Sequence, residues 1–292
     1  MLGGIEAGGT KFVCVVGSGP GEVLASQRFP TGDPGTTIAT AIAFFGENGP
    51  VEAIGIASFG PLELRHDHPS FGFITSTPKA GWAHTDLAGA VRRGLGLPVE
   101  IDTDVNAAAL AEWRWGAGQG VGDMIYLTVG TGIGGGAISS GRIVHGLVHP
   151  EMGHLAIPRE PDDSYAGGCP YHGACWEGLA SGPALEARWG RRGEVLAELA
   201  GAAIDLEARY LAAGLRNLIY TLAPERIVIG GGLSELPGLF VALRNRLSQA
   251  LAGYPGLTEH SDDGFVVPPG LGGRSGSFGA LALADRARRR VV

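Results

Sequence analysis

The opening of the chain alternates short apolar stretches with glycine turns, a pattern typical of strands joined by tight connections. The stretches LGGIE, KFVCVVG and VLASQRF predict three strands, separated by the turns AGGT and SGPGE. A helix should follow, because Asp33 suits an N-cap, Pro34 the first helical turn and Gly46 a position just past the end. The pattern therefore predicts three strands that lead into one helix.

Strands and helices then alternate along the chain. The apolar run VEAIGIAS at 51–58 and the short run PVEID predict two strands, with a helix near 85–94 between them. The alanine-rich stretch VNAAALAEWRWG predicts a further helix directly after PVEID. Because helices that alternate with strands cover the faces of a sheet, the predicted fold class is α/β.

The opening pattern recurs near residue 122. DMIYLTV, GTGIGG, GAIS, SG and RIVHG again predict strand, glycine turn, strand, turn and strand, with Gly8 and Gly130 in corresponding places. A solenoid would repeat every 20–50 residues or so, which this chain does not. The recurrence therefore predicts two related lobes.

We place a smaller N-terminal α/β lobe at 1–116 and a larger C-terminal α/β lobe at 117–274. The longest helix is expected near 205–222, ahead of the apolar strand in RIVIGGGL. The segment 275–292 predicts a last helix, which we expect to pack back on the first lobe. Its basic end suits a solvated helix C-terminus.

The composition and charge of the chain argue against several classes of function. The 292 residues are 45% hydrophobic, but no apolar run approaches the roughly 20 residues of a bilayer helix, so we expect no membrane span. No basic, apolar leader opens the chain, so no secretory signal is expected. The net charge of −7 argues against a nucleic-acid binder. These features predict a soluble cytoplasmic protein.

Three glycine-rich turns each follow an apolar strand: AGGT at 7–10, GTGIGG at 130–135 and GGG at 230–232. Backbone N–H groups exposed in such turns bind phosphates, although ordinary hairpin turns have the same composition. GTGIGG also matches the dinucleotide fingerprint, but it continues as a strand where that fingerprint opens a helix. No P-loop sequence is present. The three turns therefore favour phosphate binding by a fold other than the dinucleotide-binding fold or the P-loop fold.

Two carboxylates end the strand in EIDTDVN. Asp102 and Asp104 stand two residues apart, so both side chains can point to one face. Asp104 directly precedes the predicted helix, where it could serve as an N-cap, as a catalytic base, or as both. The residues alone leave these roles open.

The stretch 145–175 holds four of the eight histidines and two of the three cysteines. Cys169, His172 and Cys175 follow one another at a spacing of three, and His154 offers a fourth ligand. Two sulfurs and two nitrogens suit tetrahedral zinc of a structural kind. A Cys169–Cys175 disulfide is the competing interpretation, which a cytoplasmic location disfavours.

Taken together, these motifs resemble the ROK-type sugar kinases, and in particular their bacterial fructokinases. GGIEAGGTKF resembles the family's first phosphate motif, with Glu6 where many members carry Asp. TVGTGIGGG resembles the second phosphate motif and PERIVIGGGL the adenosine-side motif. HPEMGH with GGCPYHGACWEG is similar to the family's zinc motif, and SFGP and TSTPKAGW resemble the fructokinase branch.

The resemblance implies an actin-like (ribonuclease H-like) ATPase fold, in which two related lobes enclose a cleft for sugar and MgATP. It implies that Asp104 is the base that takes the proton of the sugar 6-hydroxyl. Thr103 replaces the Asn that commonly precedes this Asp, which weakens a glucose or N-acetylmannosamine assignment. The chain also starts at the first strand, which makes the repressor branch an unlikely match.

The resemblance also implies the remaining site residues. Sugar binding is expected at Thr103, Asn106, Glu151, His154 and Glu177. ATP or phosphate binding is expected at Gly8, Gly9, Thr10, Lys11, Thr131, Gly132, Gly231 and Gly232. Zinc is expected at His154, Cys169, His172 and Cys175, and Mg²⁺ with ATP.

Our leading hypothesis is a cytoplasmic, zinc-stabilised kinase that converts D-fructose to D-fructose 6-phosphate. One alternative is a kinase of mannose, glucose or N-acetylmannosamine. Another is a sugar-sensing protein that binds its ligand without catalysis. A homodimer is implied by the resemblance, and neither nucleic acid nor membrane is an expected partner.

Overall fold

The structure is a computed structural model that describes residues 1–190 and 201–290. Strands and helices alternate along it, which confirms the predicted α/β class. The strands are β1 Leu2–Ala7, β2 Lys11–Gly19, β3 Glu22–Pro30, β4 Ile54–Ser58, β5 Phe73–Ile74, β6 Thr85–Asp86, β7 Val99–Thr103, β8 Met124–Val129, β9 Ile133–Ser139, β10 Arg142–Ile143, β11 Arg226–Gly230 and β12 Val266–Val267. The helices are α1 Pro34–Asn48, α2 Leu87–Leu95, α3 Asp104–Trp115, α4 Trp176–Ala180, α5 Gly182–Trp189, α6 Ala202–Leu222, α7 Leu239–Leu251 and α8 Ser275–Arg290.

The chain divides into two units, and neither is a single stretch of sequence. Unit 1 consists of Met1–Gln119, Ile143–Pro150 and the chain from Gly273 onward, and unit 2 of Gly120–Arg142 and Glu151–Gly272. The sequence-based boundaries gave the segment 143–150 to the second lobe, whereas it clusters with unit 1.

The contacts of two histidines explain why segment 143–150 belongs to unit 1. His145 Nε2 lies 2.9 Å from Asp102 Oδ2, and the Leu62 N–H donates to His149 Nε2 over 3.1 Å. His149 is buried, and Asp102 is only 3% exposed. Because these partners are distant in sequence, no local pattern could have assigned the segment to unit 1.

Unit 1 is built on a sheet with the strand order β3-β2-β1-β4-β7. Strands β1, β2 and β3 form an antiparallel meander, and β4 and β7 add to β1 in parallel. Helices α1 and α2 cover one face over an apolar core, while α8 lies on the other face against β1 and β4. The large buried side chains of this core include Phe12, Ile54, Ile56, Trp82, Leu87 and Ile101.

Unit 2 repeats the same plan. Its sheet has the order β10-β9-β8-β11-β12, with β8 and β9 antiparallel and with β8, β11 and β12 parallel. Helices α6 and α7 pack on each other, and α4 packs on α6 where Gly214 lies against the Trp176 ring. Because both sheets have an antiparallel part followed by two parallel strands, the expectation of two related folds is confirmed.

The first helix differs from the prediction at its end. Its N-cap is Asp33 as predicted, since the Thr36 N–H donates to Asp33 Oδ1 over 2.9 Å. The predicted end at Gly46 is wrong, because α1 continues to Asn48. The helix continues because an exposed glycine weakens a helix by only about 1 kcal/mol, and the Asn48 side chain donates to the Phe44 carbonyl.

The basic end of α8 is compensated by carboxylates. Asp285 pairs with Arg288 at 2.7 Å and with Arg289 at 2.9 Å, and Arg290 pairs with Glu100. Much of the positive charge is therefore balanced within unit 1. Among the described helices, none has the length and apolar character needed to cross a membrane.

Close packing of α8 on the sheet depends on a glycine. A Cβ atom at Gly55 of β4 would overlap the Ala280 carbonyl oxygen and crowd the Ala284 N–H. We expect Gly55→Ala to destabilise the protein by at least about 2 kcal/mol, because the obstructing atoms are backbone. Gly46→Ala, in open space on α1, should instead be neutral or stabilise by up to about 1 kcal/mol.

Urea unfolding of the two variants measures this difference. Equal unfolding midpoints for Gly55→Ala and the wild-type protein would show that α8 does not pack on β4 as described.

Candidate active site

The candidate active site in unit 1 forms where β7 ends and α3 begins. The N-cap of α3 is Thr103, whose Oγ1 accepts from the Asn106 N–H over 3.2 Å. Asp104 is the first residue of the helix, and its Oδ1 accepts from the Val105 N–H over 2.9 Å. The interpretation of Asp104 as the N-cap is therefore wrong, and its carboxylate lies at the positive end of the helix dipole.

The two carboxylates at this strand end have different surroundings. Asp102 is buried and accepts from the Thr103 N–H and from Asn106 Nδ2, each over 2.8 Å, and it pairs with His145. Asp104 is partly exposed. Of the two carboxylates, Asp104 is therefore the more exposed.

Electrostatics in this region centre on His145. Its hydrogen bond with Asp102 raises the pKa of His145, and the nearby Glu100 carboxylate raises it further. Burial and the Arg286 guanidinium act in the opposite direction. The net effect is a pKa of His145 above its usual value, and His145 pairs with Asp102 close to the candidate base.

The first glycine turn closes the β1–β2 hairpin. The Gly8 N–H donates to the Lys11 carbonyl over 2.9 Å. From one side, the Thr31 hydroxyl donates to the Gly8 carbonyl and the Thr31 N–H donates to the Thr10 carbonyl. Thr10 is exposed, and a Cβ atom built on Gly9 would meet no other atom within 4 Å. The turn is thus supported on one side and open at its tip.

The TPKAGW loop supports that same turn. Trp82 is fully buried, and its Nε1–H donates to the Gly32 carbonyl over 3.0 Å. Lys79 Nζ lies 3.4 Å from the Thr31 carbonyl oxygen. The loop that resembles the fructokinase branch therefore helps to hold Thr31, which in turn holds the first glycine turn.

The second glycine turn, between β8 and β9, is occupied by a carboxylate. Glu177 Oε2 accepts from the Ile133 N–H over 2.9 Å. A Cβ atom at Gly132 would overlap this carboxylate, so any larger residue there would displace the Glu177 side chain. Thr131 is exposed beside it. One predicted sugar-binding residue thus lies against a predicted phosphate turn.

The third glycine turn, after β11, lies beside the second. Gly231 has a positive φ of 85°, and a Cβ atom there would meet the Val129 backbone. The Gly232 nitrogen lies 3.9 Å from the Cβ position of Gly130. The structure therefore brings together two of the three predicted phosphate turns within unit 2.

The predicted metal ligands come together in unit 2. The ligand atoms of His154, Cys169, His172 and Cys175 all lie within 4.8 Å of one another. His154 Nδ1 is 3.7 Å from Cys169 Sγ and 3.6 Å from Cys175 Sγ, and His172 Nδ1 is 3.9 Å from Cys169 Sγ. Zinc bonds of about 2.0–2.3 Å in a tetrahedron place ligands about 3.3–3.8 Å apart. The donor set and its spacing therefore fit zinc.

Both cysteines of this cluster are free thiols. Burial raises the pKa of the Cys175 thiol, so a thiolate at this position needs a compensating positive charge. A bound cation would provide that charge.

Several contacts of the site could not be predicted from sequence. The partnership of Asp102 with His145 joins residues 43 positions apart, since 145 − 102 = 43. Thr31 belongs to none of the predicted motifs, and only its contacts with Gly8 and Thr10 show that it supports the first glycine turn. Glu151 lies exposed at the start of the turn that carries His154, and nothing in its position tests its predicted sugar contact.

The repeated sheet plan, the glycine turns after β1, β8 and β11, and a carboxylate at the end of β7 define a class of protein. It is the actin-like ATPase fold that the sequence motifs resemble.

Comparison with known proteins narrows this class. The profile of the ROK family matches residues 2–287. A fructokinase of Zymomonas mobilis is 43% identical over 301 residues, which cover 99% of this chain and 98% of the relative. A fructokinase of Pediococcus pentosaceus is 40% identical over 291 residues and the full length of both chains.

A solved structure agrees with these relatives. The ROK family glucokinase of Streptomyces griseus, in complex with glucose and AMPPNP, is 28% identical. It superposes with a TM-score of 0.77 over 98% of this chain and 99% of its own. The chain therefore belongs to the ROK family.

Proposed function

We propose that this protein transfers the γ-phosphoryl group of ATP to the 6-hydroxyl of D-fructose. The observation that carries this proposal is the match to fructokinases over nearly the whole chain, together with a partly exposed Asp104 at the first position of α3. A glucose kinase is the second candidate, since the Streptomyces griseus relative was solved with glucose.

Asp104 is the proposed general base. Its carboxylate accepts the proton of the 6-hydroxyl as that oxygen attacks the γ-phosphorus. The bond between the γ-phosphorus and the bridging oxygen breaks, ADP leaves, and fructose 6-phosphate forms. The residues of this chain contribute mainly position and charge stabilisation, as is usual in phosphoryl transfer.

The glycine turns are the proposed sites for ATP. Their exposed backbone N–H groups suit phosphate oxygens, and Mg²⁺ bound with ATP would neutralise the charge that develops on the phosphates. The proposed contacts in unit 1 are Gly8, Gly9, Thr10 and Lys11, and those in unit 2 are Thr131, Gly132, Gly231 and Gly232.

The proposed sugar contacts are Thr103 and Asn106 in unit 1, and Glu151, His154 and Glu177 in unit 2. His154 can serve both sugar and zinc, because its Nδ1 faces the two cysteine sulfurs and its Nε2 remains for a sugar hydroxyl.

We propose that zinc binds the cluster of His154, Cys169, His172 and Cys175 and stabilises this loop. Four protein ligands leave no open position for a reacting water, so the ion would be structural. Cys175 directly precedes α4, which carries Glu177 to the second glycine turn. A metal that fixes Cys175 would therefore also fix the position of Glu177.

The thiolates that zinc requires suit a reducing compartment, so we propose a cytoplasmic location. We also propose a homodimer, on the resemblance to the family.

Turnover with different sugars tests the substrate. With MgATP, we expect the highest kcat/KM for ADP release with D-fructose, ahead of glucose, mannose and N-acetylmannosamine at equal concentrations. A higher kcat/KM with another sugar would identify that sugar, and not fructose, as the substrate. Tight sugar binding without ADP release would instead indicate a sensor.

Replacement of the proposed base tests the mechanism. Asp104→Asn removes the proton acceptor while keeping the shape of the side chain, so kcat should fall by about 10²–10⁴-fold with sugar affinity largely kept. The control Asp263→Asn changes a carboxylate that is 91% exposed, and it should leave kcat unchanged. A kcat near the wild-type value in Asp104→Asn would exclude this residue as the base.

Elemental analysis tests the zinc site. The purified wild-type protein should hold about one zinc per chain, the occupancy of a four-ligand structural site. Cys169→Ser and Cys175→Ser should lose most of the metal, unfold at lower temperature and bind sugar more weakly. Cys14→Ala removes the third cysteine, which is buried in β2 away from the cluster, and should keep the zinc. Zinc-free wild-type protein with a Cys169–Cys175 disulfide would contradict the site.

A further inference from the structure

One polar atom near the candidate base is buried without a partner. Asn106 is fully buried in the first turn of α3, two residues after Asp104. Its Nδ2 donates to Asp102 Oδ1 over 2.8 Å, whereas its Oδ1 has no hydrogen-bond partner. A buried acceptor without a donor is unfavourable, so a donor from a ligand is the natural way to satisfy it.

The orientation of the Asn106 amide follows from Asp102. An ionised carboxylate only accepts hydrogen bonds, so the amide must turn its NH₂ group toward Asp102. Its carbonyl oxygen must then face away. Without the carboxylate, the two ends of the amide would be nearly interchangeable in shape.

Asp102 is itself held in one orientation. Its Oδ1 accepts from the Thr103 N–H as well as from Asn106, and its Oδ2 is 2.9 Å from His145 Nε2. His145 Nε2 also lies 3.4 Å from Asn106 Nδ2. The two oxygens of the carboxylate therefore bind on different sides, which prevents rotation.

The charges that face His145 come from several elements. Asp102 and Glu100 face it from β7, Arg286 from α8, and His66 from the loop after β4. The hydrogen bond with Asp102 has the largest influence and raises the pKa of His145. Both oxygens of Asp102 accept hydrogen bonds from these surroundings, and an accepting carboxylate is what the orientation of Asn106 requires.

We propose that Asp102 and His145 are positioning residues that fix the Asn106 amide so that its carbonyl oxygen accepts a hydrogen bond from a sugar hydroxyl. This inference rests on the proposed function, because it states which group donates and which accepts in one of the sugar contacts of that site. It also gives segment 143–150 a part in sugar binding, through His145.

Replacement of His145 tests the positioning role. His145→Leu removes the donor to Asp102 Oδ2, and KM for fructose should rise about 10-fold, with kcat and KM for ATP within about twofold, as expected for one positioned hydrogen bond. His145→Gln places an N–H close to the former Nε2 and should restore most of the sugar affinity. A purely structural role would change all three constants together.

Asp102→Asn tests the orientation itself. An amide at this position can donate as well as accept, so it no longer dictates how Asn106 turns, and KM for fructose should again rise about 10-fold. The ring resonances of His145, followed by NMR, should show a lower pKa in this variant than in the wild-type protein. This second measurement reports the ion pair in the folded protein without reference to activity.

Asp285→Asn is the matched control, because Asp285 is a buried carboxylate of unit 1 whose ion-pair partners are Arg114, Arg288 and Arg289. It should lower stability without changing KM for fructose. Folded His145→Leu and Asp102→Asn with wild-type KM for fructose would overturn the inference, as would an unchanged pKa of His145 in Asp102→Asn. A wild-type protein without turnover on any sugar would overturn the proposed function, and the inference with it.

Discussion

A buried carboxylate at the end of β7 determines the geometry of the candidate active site in unit 1. Asp102 is satisfied only by its surrounding donors, which come from the Thr103 backbone, the Asn106 side chain and His145. Leaving such a charge without partners would be strongly unfavourable, so these donors must come together for the fold to form. Their assembly caps α3 with Thr103 and leaves Asp104 at the first, partly exposed position of the helix.

Close contacts also determine the geometry of the glycine turns in unit 2. Cys175 ends the loop that carries the cluster of cysteines and histidines and directly precedes α4, and α4 carries Glu177 onto the second glycine turn. Gly132 leaves room for that carboxylate, and Gly231 leaves room for the backbone of the neighbouring strand. Close packing at these turns therefore accounts for some of the many glycines in the chain.

Much of this arrangement could be predicted from the sequence because its signals are local. The alternation of apolar runs and turns identified the α/β class and the repeat, and the Cys and His spacing identified the four side chains that come together in unit 2. The end of α1 was misplaced, because an exposed glycine only weakly disfavours a helix and Gly46 is tolerated. The competition between Thr103 and Asp104 for the cap also needed coordinates, since both residue types suit that position.

The remaining features depend on contacts between distant parts of the chain. Segment 143–150 joins unit 1 through His145 and His149, whose partners precede them by more than 40 residues. The support of the first glycine turn by Thr31 and the TPKAGW loop is likewise invisible in any local pattern. Such contacts depend on tertiary packing, which hydrophobic periodicity does not encode.

This ROK family protein is proposed to move a phosphoryl group from ATP to the 6-hydroxyl oxygen of fructose. NMR of a reaction mixture containing MgATP and fructose labelled with ¹³C at carbon 6 tests it most directly. We expect a coupling between ¹³C and ³¹P to appear at that carbon as ADP accumulates in equal amount. ADP that accumulates without this coupling, or a fructose signal that stays unchanged, would contradict the account.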